Sequence, residues 1–263
     1  MYKLLDWVPL DKLNREYLSV NPNAIDLLSK NLDKINWTVL STNPNAMGIL
    51  QKNQSKISWS HLSRNPNAIG ILKKNLDKVD WYYLASNPSA MGIIEKNLDK
   101  INYNQLSLNP NAIELLQANQ DKINWNALSL NPNAIELLQA NQDKINWDYL
   151  SKNPNAISLL EANPDKVDWS LLSENPNAIH ILEANPDKIC WLELSGNPNA
   201  ISLLSTNPDK IDWEYLSLNP SIFEIDYYSI KQRTELFKEE LMQLIWNPSR
   251  LKKRGYFEVF GDN

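Results

Sequence analysis

Glycine is scarce in this 263-residue chain, with 6 residues, and histidine and cysteine are scarcer still, with 2 and 1. The shortage of glycine leaves no phosphate-cradling loop of the glycine-rich kind. A single cysteine, Cys190, excludes an internal disulfide framework and fits a reducing compartment. The two histidines, His61 and His180, lie far apart in sequence and support neither a His-based triad nor a metal cluster. No apolar run approaches the length of a membrane span. The opening Met-Tyr-Lys-Leu-Leu-Asp-Trp lacks the apolar core and small-residue cleavage site of a secretory signal. The composition reads as a soluble intracellular protein, with no catalytic residue, cofactor or metal expected.

What the chain has in abundance is proline, with 15 residues, and a strict period. Asn-Pro begins at 21, 43, 65, 87, 109, 131, 153, 175, 197 and 219, always 22 residues apart. Nine complete units therefore run from Asn21 to Leu218. Numbering each unit from its Asn, the consensus is N-P-N-A-I-x-L-L-x-x-N-x-D-K-I-N/D-W-x-x-L-S-x.

Each unit carries two helix starts. Asn at position 1 can cap a first turn, and Pro at position 2 suits the first helical position. Apolar residues at positions 4, 5, 7 and 8 then share one face. Asn at position 11 is expected to close this helix of about nine residues through a left-handed cap. Position 16 caps a second helix of about six residues, which starts at the Trp of position 17. Such a unit cannot bury its apolar face alone, but stacked units can. The expected fold is all-α, an α-solenoid of nine 22-residue helix-turn-helix repeats with helical caps at both ends. At about 8–10 Å per helix layer, an open stack would be roughly 70–90 Å long.

The expected divisions are an N-terminal half-repeat cap at 1–20, the repeats at 21–218, and a C-terminal helical cap with a basic tail at 219–263. In the half-repeat Arg15 stands where Trp belongs, as suits an exposed end. A longer amphipathic helix is expected from about Tyr228 to Trp246. Asn247-Pro248 should start a final short helix carrying Arg250, Lys252, Lys253 and Arg254.

The units N-P-N-A-I-x-L-L and D-K-I-x-W-x-x-L-S, with the tail F-K-E-E-L-M-Q-L-I-W-N-P-S-R-L, resemble the short-repeat proteins of giant DNA viruses of the mimivirus type. The tail is similar to a K-E-E-L…H-P-S-R motif in such proteins, with Asn247 where His is usual. The resemblance spans nearly the whole chain. It implies a viral origin and expression in an infected host cell, in the cytoplasm or viral factory, with the virion as the alternative location. It transfers no catalytic or ligand-binding residue.

Three columns invite functional readings. The Trp column could stack nucleobases, but Ile and Leu flank each Trp as they would in a core. The Lys column of position 14 could track phosphates, but the Asp of position 13 stands beside it and favours a solvated ion-pair ridge. The Asn columns read as caps. Function is therefore sought where the copies differ. Positions 6 and 10 carry Gly48, Gly70 and Gly92 with Lys30, Lys52, Lys74 and Lys96, a basic strip. Glycine inside a helix costs up to about 1 kcal/mol against alanine, so three in register imply close approach of another backbone, or descent from one duplicated unit. On the second helix, positions 18, 19 and 22 offer His61, Tyr82, Tyr83, Tyr149 and Tyr215 as a partner surface.

Charge is uneven: 13 Lys/Arg face 9 Asp/Glu in residues 1–110, but 6 face 15 in residues 111–220. The expected function is a non-enzymatic protein–protein interaction scaffold. Its partner would be a viral or host protein, or further copies joined head to tail. The alternatives are a structural or assembly component of the virion and, less favoured because of the acidic half, a nucleic-acid-binding repeat protein. No membrane association is expected.

Overall fold

The computed structural model describes residues 1–246, and the Asn247-Pro248 helix expected from the sequence lies outside them. The described chain forms two compact bodies, Leu4–Phe223 and a terminal body of Met1–Lys3 with the chain from Glu224.

The repeat body is an all-α solenoid. The Asn-Pro start makes a short 3-10 turn in the first four units, such as Pro44–Ala46, and a plain turn in the next five, and in each unit it runs into a short α-helix, such as Met47–Lys52. A second 3-10 turn follows at positions 12–14, as in Gln54–Lys56, and then the second helix, Trp59–Arg64. The second turn was not foreseen from sequence. Position 16 caps as expected where it is Asn or Asp: Asn36, Asp168 and Asp212, for example, each accept a backbone N–H of the first helical turn, whereas Ser58 accepts none.

The position-11 cap is different from the expected one. Asn53 has φ −129° and Asn141 φ −135°, both outside the left-handed region. Each instead donates its side-chain amide to the carbonyl four residues back, Asn53 to Ile49 and Asn141 to Leu137, at 2.9 Å. The orphan carbonyl of the helix end is thus satisfied by a side chain rather than by a backbone reversal.

The core is one continuous layer. Leu at position 20 is fully buried in every unit, from Leu40 to Leu216, and Ala at position 4 is equally covered, as in Ala46 and Ala134. The Trp residues of position 17 are half-buried and pack against this layer. Their core reading from sequence is supported.

Units are tied together by the Asn of position 1. Its Oδ1 caps its own turn, accepting the N–H two residues on, as Asn131 does from Asn133 at 3.0 Å. Its Nδ2 donates twice to the preceding unit, Asn131 to the carbonyls of Ser107 (3.0 Å) and Asn109 (2.9 Å). These asparagines are almost fully buried. A second ladder runs through serine at position 21: Ser129 Oγ accepts from the backbone N–H of Asn146 at 3.0 Å and donates to the Trp125 carbonyl at 2.8 Å.

Both ladders close on themselves. Asn21 donates to the carbonyls of Ser217 (3.0 Å) and Asn219 (2.9 Å), and the Asn14 N–H donates to Ser217 Oγ at 2.8 Å. Leu5 N–H meets the Ile222 carbonyl at 2.9 Å, and Asn23 Nδ2 meets that of Pro220, also at 2.9 Å. The open stack expected from sequence is therefore a ring. Its tenth unit is split: the chain end supplies Asn219–Ile222 and the chain start supplies the second helix, Arg15–Val20. Arg15 is half-buried within that unit rather than placed at an exposed end.

Second helices pack directly on one another, for example Trp147–Lys152 on Trp169–Glu174, and so do the Asn-Pro turns, including Pro220–Ile222 on Pro22–Ala24. The short first α-helices make no comparable contact with each other. In a closed ring the rows in closest contact run at the smaller radius, so the first helices face outward.

In the terminal body, Lys3 pairs with Glu224 at 2.8 Å and Asp226 caps the helix Tyr227–Ile245. The Asp226 carboxyl lies below its usual range because it accepts the Ser229 hydroxyl. The helix matches the amphipathic one expected from sequence, but Leu236, Phe237, Leu241 and Leu244 on it are exposed.

Candidate interaction surfaces

Gly48, Lys52, Gly70 and Gly92 lie in the first helices and Lys30, Lys74 and Lys96 in the turns just after them, all exposed on the outward side. A Cβ built on Gly48, Gly70 or Gly92 would meet nothing within 4 Å. Close approach of the protein's own backbone, one of the two reasons the sequence suggested, is thereby excluded. At Gly48 the surface is recessed. A cavity of about 290 Å³ lies between the first two units, lined by Ile25, Ser29, Leu32, Gly48, Ile49 and Lys52 among others. Leu32 at position 12 is 40% exposed, and Leu76 and Leu98 in the same column are similarly open. The pattern reading omitted these leucines, because the hydrophobic column of position 12 is interrupted by Gln54.

Open space around these glycines carries a direct expectation. Gly70→Ala should stabilise the fold by up to about 1 kcal/mol, since it removes backbone entropy without a clash. Thermal denaturation measures it, and a loss of stability would show that the position is sterically restricted after all.

The second helices carry the aromatic band. His61 stacks on Tyr83 (5.9 Å between centroids, 27° between planes), and Tyr82 meets Tyr83 edge-on at 5.2 Å. Arg64, at position 22, lies 5.4 Å from the Tyr83 ring centroid. The Gln105 side chain joins the group, donating to the Tyr82 hydroxyl at 2.9 Å. Sequence reading did not select Arg64 or Gln105, from units two and four, which meet because the units stack. Tyr149 is exposed and apart from this cluster. Tyr215 meets Tyr17 across the seam instead, edge-on at 6.3 Å. Near the seam, the Glu193 carboxyl is raised above its usual range, first by partial burial and then by the charge of Glu174. Glu193 in turn raises the Tyr215 hydroxyl. Glu174 is paired with Lys152 at 2.6 Å.

The Lys column differs from the ion-pair ridge expected for it. Among the described residues no ion pair joins a position-14 Lys to its neighbouring Asp. From the third unit onward the Lys lies instead over the aromatic ring of the preceding unit, from Lys78 over Trp59 to Lys210 over Trp191, at 4.2–4.8 Å. Lys12 over Trp213 at 4.6 Å carries the pattern across the seam. The column therefore belongs to unit stacking, by cation–π attraction and by the cover the Lys stems give the rings.

Comparison with known proteins adds no relative: no family model matches the chain, and no curated protein or solved structure is significantly similar to it.

Proposed function

We propose that the protein is a non-enzymatic protein-interaction scaffold whose basic, glycine-bearing outer strip engages an acidic protein surface. One observation carries the reading. Over the first four units, Lys30, Lys52, Lys74 and Lys96 recur at one per unit with the open glycines Gly48, Gly70 and Gly92, exposed Leu32, Leu76 and Leu98 recur in the same units, and Lys52, Gly48 and Leu32 line one cavity. Shared apolar and charged patches of this kind suit a partner bearing acidic and small apolar residues. The aromatic band of His61, Tyr82 and Tyr83 is a second surface that the same scaffold could use. The resemblance of the repeats to those of giant-virus proteins supports a setting in an infected cell, in the cytoplasm or viral factory.

The test is affinity capture from infected-cell extract with the full chain as bait. Specific proteins should be retained and then lost with the Lys52→Glu/Lys74→Glu variant. Retention of none, or retention indifferent to that charge reversal, would overturn the proposal.

A further inference from the structure

The outer face changes character halfway round the ring. In units two and three, positions 6 and 10 of the first helix carry Gly48 with Lys52 and Gly70 with Lys74. In units five and six the same positions carry Glu114 with Ala118 and Glu136 with Ala140. All eight residues are exposed. The two arcs thus have inverted patterns, small-then-basic in one and acidic-then-small in the other.

Position 6 lies in the first helix, and position 10 either ends it, as Lys52 does, or follows its last residue by one or two, as Ala118, Ala140 and Lys74 do, so the two stand about one turn apart along the chain. If two such helices meet antiparallel, position 6 of one faces position 10 of the other. Gly48 and Gly70 then face alanines, and Lys52 and Lys74 face glutamates. Small residues at the crossing let the two helices approach closely, and the flanking side chains bring opposite charges together. The open space at Gly48 and Gly70, which nothing in the chain fills, is the space such a helix would enter.

Spacing agrees as well as chemistry. Both arcs are built from the same 22-residue unit on the same ring. The step from Lys52 to Lys74 is therefore matched by the step from Glu114 to Glu136. An unrelated acidic protein would match it only by coincidence.

We propose that the occupant of the basic strip is a second copy of this chain, docked through the outer first helices of units five and six. This rests on the scaffold reading above and names its partner. The contact joins two different arcs, so it is heterologous: each docked copy still offers one arc, and association need not stop at a dimer. It also replaces the head-to-tail mode expected from sequence, because a closed ring has no free repeat end to extend.

Sedimentation of the full chain at low salt should show an average mass that rises with concentration above the 30.3 kDa of one chain and falls back at high salt. Lys52→Glu/Lys74→Glu should be monomeric, because its two arcs are both acidic. Glu114→Lys/Glu136→Lys should be monomeric, because its two arcs are both basic. Mixing the two variants should restore association. Gly48→Gln/Gly70→Gln should fold, since both positions are open, and lose association, by filling the space the docked helix would enter. A wild-type chain that stays monomeric would overturn the proposal, as would charge variants that associate as well as wild type. If the wild type is monomeric yet extract proteins are still captured through Lys52 and Lys74, self-docking fails and the scaffold reading stands.

Discussion

Asn131→Ala should cost roughly 3–5 kcal/mol, a large share of the stability of an ordinary domain. The side chain performs two tasks at once. Its Oδ1 caps the turn at Asn133, and loss of such a cap alone costs about 0.5–2 kcal/mol. Its Nδ2 satisfies the carbonyls of Ser107 and Asn109 in a buried position where water does not replace it. Stripping a buried polar group of its partner costs about 1–3 kcal/mol. Asn131→Asp separates the tasks: it keeps the cap acceptor and sets a buried carboxylate against two carbonyl oxygens, so it should be at least as damaging as alanine. Asn133→Ala, two residues away on an exposed side chain, should cost within about 0.5–1 kcal/mol, although Asn133 also donates to the preceding unit, to Pro110. Chemical denaturation of the three variants checks the ranking. Equal effects at positions 131 and 133 would mean that the ladder is not what joins the units.

Deleting residues 1–20 should be more disruptive still. The deletion removes the second helix of the tenth unit and with it the burial of Val8, Leu13 and Leu18. At about 1.5–3 kcal/mol for each large apolar side chain, the lost burial alone is roughly 5–9 kcal/mol. It also removes Lys12 from Trp213, Tyr17 from Tyr215, and the acceptor that Ser19 provides for Asn43. Truncation after residue 223 leaves these contacts in place and serves as the control. The expected outcome is a chain that melts far below full length, or without a cooperative transition, with amide exchange fastest in the units beside the cut. An N-terminal deletion that melts like the control would show that closure contributes nothing. In an open solenoid the loss would be smaller, since a terminal half-unit there touches one neighbour only.

The contrast shows which parts of the fold were legible in the sequence. The 22-residue period, the Asn-Pro helix starts, the caps of position 16 and the Trp–Leu core follow from local rules. Each depends only on residues within one unit, and each recurs. Closure does not. Residues 11–20 look like a half-repeat cap whether the solenoid is open or closed, because curvature is the sum of small angles that no residue type announces. Arg15 pointed the wrong way: a missing Trp suits an uncovered end, yet the structure places it within a complete unit. Both the Ser of position 21 and the Asn of position 1 bond between units, so a reading confined to one unit sees a spare hydroxyl and a cap. The Lys column was misread for the same reason. Its Asp neighbour is adjacent in sequence, but its aromatic partner lies in the unit before. For the candidate surface, sequence variation located Gly48, Gly70, Gly92 and the lysines, and the structure supplied their open surroundings.

A circle also fixes arithmetic that a stack leaves free. An open array can gain or lose a repeat and merely change in length. Here ten copies share one full turn, so every copy must bend by a tenth of it. Inserting an eleventh would demand a slightly smaller angle from all the others at once. Recombination between near-identical 22-residue stretches, the easiest genetic change for such a sequence, is thus the change its closed form tolerates least.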